Sequence, residues 1–333
     1  MQITILGAGN YGTSLAKVLS DQAVHEVRIW NWEGDPAPLD AIEFQQENTA
    51  YLPGIRLSER LTVARDIVTS IDGAELIIVA VPSHVCMRVM QGVTEHITPE
   101  QTVLVATKGF CKETALPLPI ALRALLAPET RDSITVMTGP AIAKELAAGV
   151  HTCMQVAGYT DEHTHRVLSA FQDSPIYLCK HTDVAGLSIG GAFKNVYAIA
   201  LGMCDGLGMS LNTKSAMLVF AMEELTHVAR VLGGDPHTVY GLSGLGDMIG
   251  TGLSPHSRNR RFGEYVVQDQ DIDTARERVR QVVEGLDAVE ILLRLGETHD
   301  EVFPFVSVIK RILDAPDSAR EEILSFIDQC TIA

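Results

Sequence analysis

The first twenty residues constrain the fold of this chain more than any other stretch. Gln2–Leu6 is a short apolar run that leads directly into a G-x-G-x-x-G motif. Its glycines are Gly7, Gly9 and Gly12, and a helical pattern of apolar residues follows through Leu19. A strand, a glycine turn and a helix in this order are typical of the first unit of a doubly wound α/β fold.

Each glycine has a physical role in such a turn. Gly7 permits the tight bend, Gly9 lets the backbone approach a pyrophosphate, and Gly12 allows the helix to pack on the strand. The start of the helix, at Asn10 and Tyr11, would face the phosphates with free N–H groups. The motif therefore predicts a dinucleotide site, and the alternative is a chance glycine turn.

Short apolar runs alternate with helical patterns through the rest of the N-terminal half. Strands are predicted at Glu26–Trp30, Glu75–Val81, Thr102–Ala106, Ile134–Met137, Thr152–Ala157 and Ile176–Cys179. Helices are predicted between them, for example at Ile120–Leu126 and Asp161–Phe171. The alternation indicates a mainly parallel sheet covered on both faces. Residues 34–53 lack a clear pattern and are predicted to form an irregular surface loop.

Ligands bind such sheets beyond the carboxyl ends of the strands. Lys108 and Gly139 each follow a predicted strand, so we expect both at one crevice. The alternatives are an ordinary surface lysine and a plain turn.

The end of the second strand governs the choice of dinucleotide, because the adenosine ribose binds there. This chain has Asn31, Trp32 and Glu33 at that place, and no arginine follows until Arg56. An inward-facing Glu33 would repel a 2′-phosphate. We therefore expect both NAD(H) and NADP(H) to bind, with NADH at least as good as NADPH.

From residue 184 onward the pattern is helical. Helices are predicted at Ser215–Val231, Thr274–Val283, Leu286–Leu295, Val306–Leu313 and Ser318–Ile327. The chain is thus predicted to have a dinucleotide-binding domain at 1–183 and an all-helical domain at 184–333.

A lysine lies within the first helix of this second domain. Lys194 has the small residues Gly190, Gly191 and Ala198 among its neighbours on one helix face. A lysine on a face without bulk can approach a ligand closely, whereas tight helix packing with Lys194 in water is the alternative. Its position near the predicted domain junction favours a small-molecule site.

Two further segments of the helical domain carry charge. Residues 241–251 are glycine-rich and are predicted to be non-helical, with Asp247 pointing at a cation or forming an Asx-type turn. Ser257–Arg261 has the sequence SRNRR in a chain of net charge −16. It offers an anionic ligand a positive site, whereas a solvated helix start is the alternative.

Composition excludes several classes of function. The chain has 333 residues, 46% hydrophobic and 20% charged, as expected for a soluble globular protein of two domains. Its acidity argues against non-specific binding to nucleic acid or anionic membranes. The six cysteines are scattered, as in reducing compartments. We expect no signal peptide, no apolar run of membrane-spanning length, and no metal, because the eleven histidines form no ligand-like pattern.

Seven motifs occur in an order that resembles one enzyme family. They are GAGNYGTSLA at 7–16, AVPS at 80–83, TKG at 107–109, TGPAIAKELA at 138–147, GAFKNVYAIALGMCDGLG at 191–208, GLSGLGDMIGT at 241–251 and SRNRR at 257–261. This set is similar to that of the NAD(P)-dependent glycerol-3-phosphate dehydrogenases of the soluble bacterial kind. The match extends from Gly7 to about Glu284.

The resemblance implies a fold, an activity and a location. The fold is a Rossmann-type domain followed by an all-α domain like the C-terminal domain of 6-phosphogluconate dehydrogenase. The activity is reversible reduction of dihydroxyacetone phosphate to sn-glycerol 3-phosphate with NAD(H) or NADP(H), feeding glycerophospholipid synthesis in the cytoplasm. The implied partner is a small-molecule substrate, with neither nucleic acid nor a membrane span. The oligomeric state stays open, a homodimer included.

The resemblance also implies roles for individual residues. Lys194 transfers the proton, Lys108 is a second cation near the substrate oxygens, and Asp247 orients the lysines. Further substrate contacts are Gly139, Thr251, Ser257, Arg258 and Asn259. Cofactor contacts are Gly7, Gly9, Asn10, Tyr11, Gly12, Lys108, Ala143, Arg258, Val282 and Glu284.

Some positions depart from the family pattern. The family usually has Trp at Tyr11, often Arg near Trp32, Ser or Thr at Ala141 and Arg at Phe220. The chain thus resembles a divergent member. A related ketopantoate or 2-keto acid reductase and a non-catalytic dinucleotide-sensing protein are the alternatives.

Overall fold

The computed structural model describes residues 1–280 and 282–332. The chain divides into two compact units. The first contains Met1–Cys111 and Pro117–Ser188, and the second contains Lys112–Leu116 and the chain from Ile189 onward. The domain boundary after residue 183 stays a prediction.

The first unit is built on an eight-stranded sheet. Its strands are β1 Gln2–Leu6, β2 Glu26–Trp30, β3 Leu61–Ala64, β4 Leu76–Val79, β5 Thr102–Val105, β6 Ile134–Thr138, β7 Thr152–Gly158 and β8 Ile176–Lys180. The spatial order is β3-β2-β1-β4-β5-β6-β7-β8, and every neighbouring pair is parallel except β6 and β7. The prediction of an α/β fold with a mainly parallel sheet is confirmed.

The central strands are apolar because helices cover both faces of a parallel sheet. All four residues of β4 and all four of β5 are buried. In the β1–β4 register, Ile3 lies beside Leu76 and Ile5 beside Ile78. The helices of this unit are α1 Asn10–Ser20, α2 Ala37–Gln45, α3 Ile67–Ile71, α4 Ser83–Gln91, α5 Leu118–Leu125, α6 Ala143–Ala147 and α7 Asp161–Ala170.

The prediction of an irregular loop at residues 34–53 is wrong. Helix α2 occupies the middle of this segment, and its Leu39 and Ile42 are 2% and 3% exposed. These two residues lie three apart, which places both on one helix face. Prolines at 36 and 38 suggest a loop, but a proline in the first turn of a helix sacrifices no hydrogen bond.

The second unit is helical, as predicted. Its helices are α8 Val184–Gly206, which begins before the division at Ser188, α9 Leu211–Val231, α10 Asp247–Gly252, α11 Arg258–Asp269, α12 Ile272–Val279, α13 Glu284–His299, α14 Pro304–Asp314 and α15 Ala319–Ile332.

Helix α8 is the core element of this unit. Its length and composition would allow it to cross a membrane. However, 89% of an apolar stretch of 18 residues within it is buried inside the protein. The expectation that no apolar run reaches that length was therefore wrong. The apolar residues instead pack against neighbouring helices, which explains a hydrophobic helix without a lipid environment.

Glycines let α8 and α11 cross at very short range. A Cβ on Gly202 would lie 1.8 Å from the carbonyl oxygen of Arg260, and one on Gly263 would lie 2.0 Å from that of Ile199. Any larger residue at either position would collide with backbone. The close crossing offsets the intrinsic cost of glycine inside a helix.

The prediction that residues 241–251 are non-helical is also wrong. A π-helical turn at Leu242–Gly246 runs directly into α10. A Cβ on Gly244 would lie 2.0 Å from the carbonyl oxygen of Val239, and one on Gly190 would lie 2.9 Å from the backbone nitrogen of Gly244. The glycines here serve close backbone packing between helices, and a sequence pattern does not distinguish this role from a turn.

A buried carboxylate joins two helices of the second unit. Glu224 of α9 is 6% exposed and accepts hydrogen bonds from the backbone N–H groups of Phe305, at 2.6 Å, and Val306, at 2.9 Å. Burial raises the pKa of Glu224 to about 8, although both backbone hydrogen bonds oppose the shift. Glu224 thus satisfies the first N–H groups of α14, which have no partner within their own helix.

We expect Glu224→Ala to lower the free energy of unfolding by about 2–4 kcal/mol, because it leaves two buried N–H donors unsatisfied. Urea unfolding measures the change. Glu223→Ala is the matched control, since Glu223 is its exposed neighbour on the same helix, and it should change stability by less than about 0.5 kcal/mol. Equal losses in the two variants would contradict the assignment.

Candidate active site

The glycine turn between β1 and α1 combines two crowded positions with one open position. Gly7 has φ +117°, and its N–H donates to the carbonyl of Trp30 at 2.8 Å. A Cβ on Gly7 would lie 2.8 Å from backbone atoms of Ala80, and one on Gly12 would lie 2.0 Å from the carbonyl oxygen of Gly7. A Cβ on Gly9 would meet nothing within 4 Å. A ligand therefore has room to approach the backbone at Gly9.

The start of α1 is held by hydrogen bonds of its own side chains, one of which also reaches α6. The side-chain oxygen of Asn10 accepts the N–H of Tyr11 at 2.8 Å. The hydroxyl of Ser14 lies 2.7 Å from the carbonyl oxygen of Asn10 and 2.8 Å from that of Ala143, the first residue of α6. The structure thus brings three predicted cofactor contacts, Asn10, Tyr11 and Ala143, close to the glycine turn.

Lys108 and Gly139 are in contact at the carboxyl ends of β5 and β6. The Lys108 Nζ donates to the carbonyl oxygen of Gly139 at 2.8 Å. Gly139 has φ +147°, and a Cβ there would lie 3.0 Å from the Cα of Met154. The hydroxyl of Thr107 donates to Val81 at 2.8 Å, which attaches this loop to the strand region next to it.

The second unit contains a buried ion pair. The Lys194 Nζ of α8 lies 3.0 Å from Oδ1 of Asp247 and 3.1 Å from Oγ1 of Thr251, both on α10. Thr251 Oγ1 also lies 3.2 Å from the same carboxylate oxygen. The side chains of Lys194 and Asp247 are 14% and 1% exposed. Three predicted site residues are therefore brought together.

The chemistry available to this pair follows from its burial. An ammonium group has three N–H donors, and two of those on Lys194 are directed at Asp247 and Thr251. Among the described residues, no acceptor is recorded for the third. A fixed ammonium in a poorly solvated site can stabilise a developing oxyanion and then donate a proton to it.

A polar network beside the lysine was missed by the sequence predictions. Asn259 donates to Asn195 at 2.9 Å, and Asn195 lies 3.5 Å from the carboxylate of Glu284. The N–H of Gly285 donates to Asn259 at 2.9 Å. Asn195 was the detectable signal, because it adjoins Lys194 and is a polar residue in a mostly apolar helix. The network joins α8, α11 and the start of α13, and it includes two predicted site residues.

The arginines of SRNRR do not share one role. Ser257 caps α11 by accepting the N–H of Arg260 at 3.3 Å, and Arg260 pairs with Asp205 at 2.6 Å. For Arg258, the first residue of α11, no side-chain hydrogen bond or ion pair is recorded within residues 1–280 and 282–332. Arg258 and the N-terminus of α11 therefore offer positive charge to an anion.

The remaining predicted residues lie apart from these contacts or have other partners. Val282 is 47% exposed in the connection before α13. Trp32 and Glu33 are exposed, whereas Asn31 is hydrogen-bonded to Ala8 and Asp35. Across the described residues, no group of three or more His, Cys, Asp or Glu side chains could hold a metal ion.

A mainly parallel sheet with this glycine turn, together with a helical unit that carries a buried lysine–carboxylate pair, is typical of two-domain dinucleotide-dependent dehydrogenases. Family models of the N-terminus and C-terminus of NAD-dependent glycerol-3-phosphate dehydrogenase match residues 2–165 and 183–323. The chain therefore belongs to the NAD-dependent glycerol-3-phosphate dehydrogenase family, and the resemblance noted from its motifs is confirmed.

Individual relatives cover almost the whole chain. The glycerol-3-phosphate dehydrogenase (NAD(P)+) of Carboxydothermus hydrogenoformans is 31% identical over 98% of this chain and 96% of that protein. The enzyme of the same name from Cronobacter sakazakii is 34% identical over 98% of this chain and 95% of its own length. The crystal structure of glycerol-3-phosphate dehydrogenase from Coxiella burnetii has a TM-score of 0.89 at 29% identity, covering 98% of both chains.

Two alanine substitutions test the glycine turn. Gly9→Ala should leave the thermal midpoint almost unchanged, because its Cβ enters open space, but should raise the Kd for NADH at least about tenfold. Gly12→Ala should cost about 1–3 kcal/mol of stability, because its Cβ collides with the carbonyl of Gly7. Calorimetry measures both quantities. Unchanged NADH affinity in Gly9→Ala would show that the open space is not a ligand site.

Proposed function

We propose that this protein catalyses the reversible, NAD(P)H-dependent reduction of dihydroxyacetone phosphate to sn-glycerol 3-phosphate. The observation that carries the proposal is the Lys194 ammonium, held by Asp247 and Thr251 with one N–H donor left for substrate. The matching family models and the names of the relatives support the same reaction. They favour it over reduction of ketopantoate or another 2-keto acid.

Lys194 acts as the general acid. When bound, NAD(P)H supplies the hydride that adds to the carbonyl carbon, and negative charge develops on the carbonyl oxygen. The ammonium stabilises that charge and transfers one proton to the oxygen, which leaves a neutral amine that regains a proton from water. In the oxidation direction the neutral amine accepts the proton of the alcohol. Asp247 holds the lysine in place and compensates its charge.

Arg258 and the start of α11 bind the substrate phosphate. A guanidinium can make two parallel hydrogen bonds to phosphate, and the helix terminus adds backbone donors. Ser257 and Asn259 flank Arg258 and complete the proposed phosphate and glycerol contacts, with Thr251 beside the lysine. Phosphate binding positions the carbonyl for reduction, so that energy from a remote group accelerates the chemical step.

The first unit is assigned the dinucleotide. The proposed contacts in this unit are Gly7, Gly9, Asn10, Tyr11, Gly12 and Ala143. Val282, which precedes α13, and Glu284, its first residue, are assigned to the cofactor by the family resemblance alone. Lys108 and Gly139 are assigned to the substrate oxygens by the family resemblance. In this assignment residues 1–183 bind the dinucleotide and residues 184–333 bind substrate and carry out proton transfer.

The same resemblance supports a cytoplasmic enzyme that supplies glycerol 3-phosphate to phospholipid synthesis, with a homodimer as one candidate assembly. A non-catalytic dinucleotide sensor is the remaining alternative. It is disfavoured by the intact ion pair, because a sensor has no need of a buried general acid.

NADH oxidation with two substrates tests the function and the phosphate site together. We expect kcat/KM for dihydroxyacetone phosphate to exceed that for dihydroxyacetone by at least about a hundredfold, because only the first can use charge-assisted contacts to Arg258. Arg258→Met should remove most of this difference, mainly by lowering kcat/KM for dihydroxyacetone phosphate. Arg276→Met, which removes an exposed surface pair with Asp273, is the control. Equal kcat/KM for both substrates in the wild type would refute the proposal.

Lys194→Met should lower kcat about 10²–10⁴-fold, because methionine cannot donate a proton. It should also lower stability by about 3–5 kcal/mol, because Asp247 stays buried without its partner charge. Adding Asp247→Asn should restore much of that stability without restoring kcat. Stopped-flow turnover and urea unfolding separate the two effects. A double variant with near wild-type kcat would exclude Lys194 as the acid.

A further inference from the structure

A second carboxylate besides Glu33, that of Asp35, is brought back to the end of β2 by a turn. Asp35 is reached through a turn in which its N–H donates to the carbonyl of Trp32 at 2.9 Å. The side-chain nitrogen of Asn31 donates to the Asp35 carbonyl at 2.8 Å and lies 3.4 Å from its Oδ2. The turn thus returns Asp35 to the residue directly after the strand.

A second residue fixes the same carboxylate. The hydroxyl of Tyr51 donates to Oδ2 of Asp35 at 3.0 Å. Burial, followed by the hydrogen bond and charge of Asp35, raises the pKa of Tyr51, so the phenol stays protonated and remains a donor. Asp35 therefore has a defined position and keeps acceptor capacity on its other oxygen.

The two residues that hold Asp35, Asn31 and Tyr51, are both connected by hydrogen bonds to the glycine turn. The side-chain oxygen of Asn31 accepts the N–H of Ala8 at 3.2 Å. Tyr51 donates its N–H to Asn48 at 3.1 Å, and Asn48 donates to the carbonyl of Ala8 at 2.7 Å. Ala8 lies between Gly7 and Gly9, so the carboxylate is held in register with the turn assigned to the pyrophosphate.

Two arginines that follow Asp35 in the sequence have other carboxylate partners. Arg65 pairs with Asp40 and Glu43, and Arg56 lies 3.6 Å from Glu59. In the described part of the chain, no ion pair joins Asp35 to any basic side chain. A carboxylate here accepts a hydrogen bond from a 2′-hydroxyl and repels a 2′-phosphate.

We propose that Asp35 selects NAD(H) over NADP(H), and that Asn31 and Tyr51 are its positioning residues. This inference rests on the proposed function, since it names the dinucleotide that the reaction uses. Glu33, which the sequence alone favours for this role, is exposed and has no recorded side-chain partner among the described residues. Asp35 follows Gly12 by twenty-three residues, close to the usual spacing of a ribose-binding acid.

The test compares Asp35→Ser with Glu33→Ser. The wild type should show at least about tenfold higher kcat/KM for NADH than for NADPH at saturating dihydroxyacetone phosphate. Asp35→Ser should shift that ratio toward NADPH about 10- to 100-fold, the value of a hydrogen bond to a charged group. Glu33→Ser should shift it less than about threefold. Asp35→Asn keeps the shape of the side chain and removes its charge. It replaces Asp35→Ser as the test variant if Asp35→Ser does not fold.

Calorimetric Kd values for NADH and NADPH, measured without substrate, separate this inference from the proposed reaction. A Kd ratio that responds to Asp35 but not to Glu33 supports the inference even if dihydroxyacetone phosphate is not reduced. A wild-type preference for NADPH overturns it, and so do equal shifts in the two serine variants. Tyr51→Phe should move the Kd ratio in the direction of Asp35→Ser but by less, because Asn31 still holds Asp35.

Discussion

The ion pair between Lys194 and Asp247 sets a condition that the surrounding helices must satisfy. Two opposite charges out of water are tolerated only at hydrogen-bond distance, so α8 and α10 must approach each other closely. Gly190 permits a close approach of α8 to the π-helical turn that leads into α10, because a Cβ on Gly190 would lie 2.9 Å from the backbone of that turn. Close packing at Gly190 and burial of the charged pair therefore depend on each other.

Much of the fold is predictable because its signals are local. The G-x-G-x-x-G motif and the apolar runs of β1, β2, β4 and β5 are contiguous in sequence and have one common structural solution. The helix α2 was not predictable in the same way, since its two prolines suggest a loop and its burial depends on the sheet. Likewise, glycines at 241–246 suggest a turn, and only their neighbours in space show that they permit helix packing.

The same difference between local signals and signals that depend on neighbours in space applies to the candidate site. Lys194, Asp247 and Arg258 were identifiable, because a charged residue in an apolar or acidic context is conspicuous. Arg260 has a structural role and Arg258 does not. This difference depends on Asp205, which is more than fifty residues away from both in sequence. The position of Asp35 beside the end of β2 was not predictable from the sequence, because a turn and the side chains of Asn31 and Tyr51 create it.

Ala8 has both of its backbone polar groups bound by asparagines from elsewhere in the unit, Asn31 through its N–H and Asn48 through its carbonyl. The conformation of the glycine turn is thus set partly by residues that lie far from it in the sequence. It follows that the proposed ribose contact at Asp35 and the proposed pyrophosphate contact at Gly9 share a mechanical support. Under these two proposals, a substitution at either asparagine is expected to alter both contacts at once.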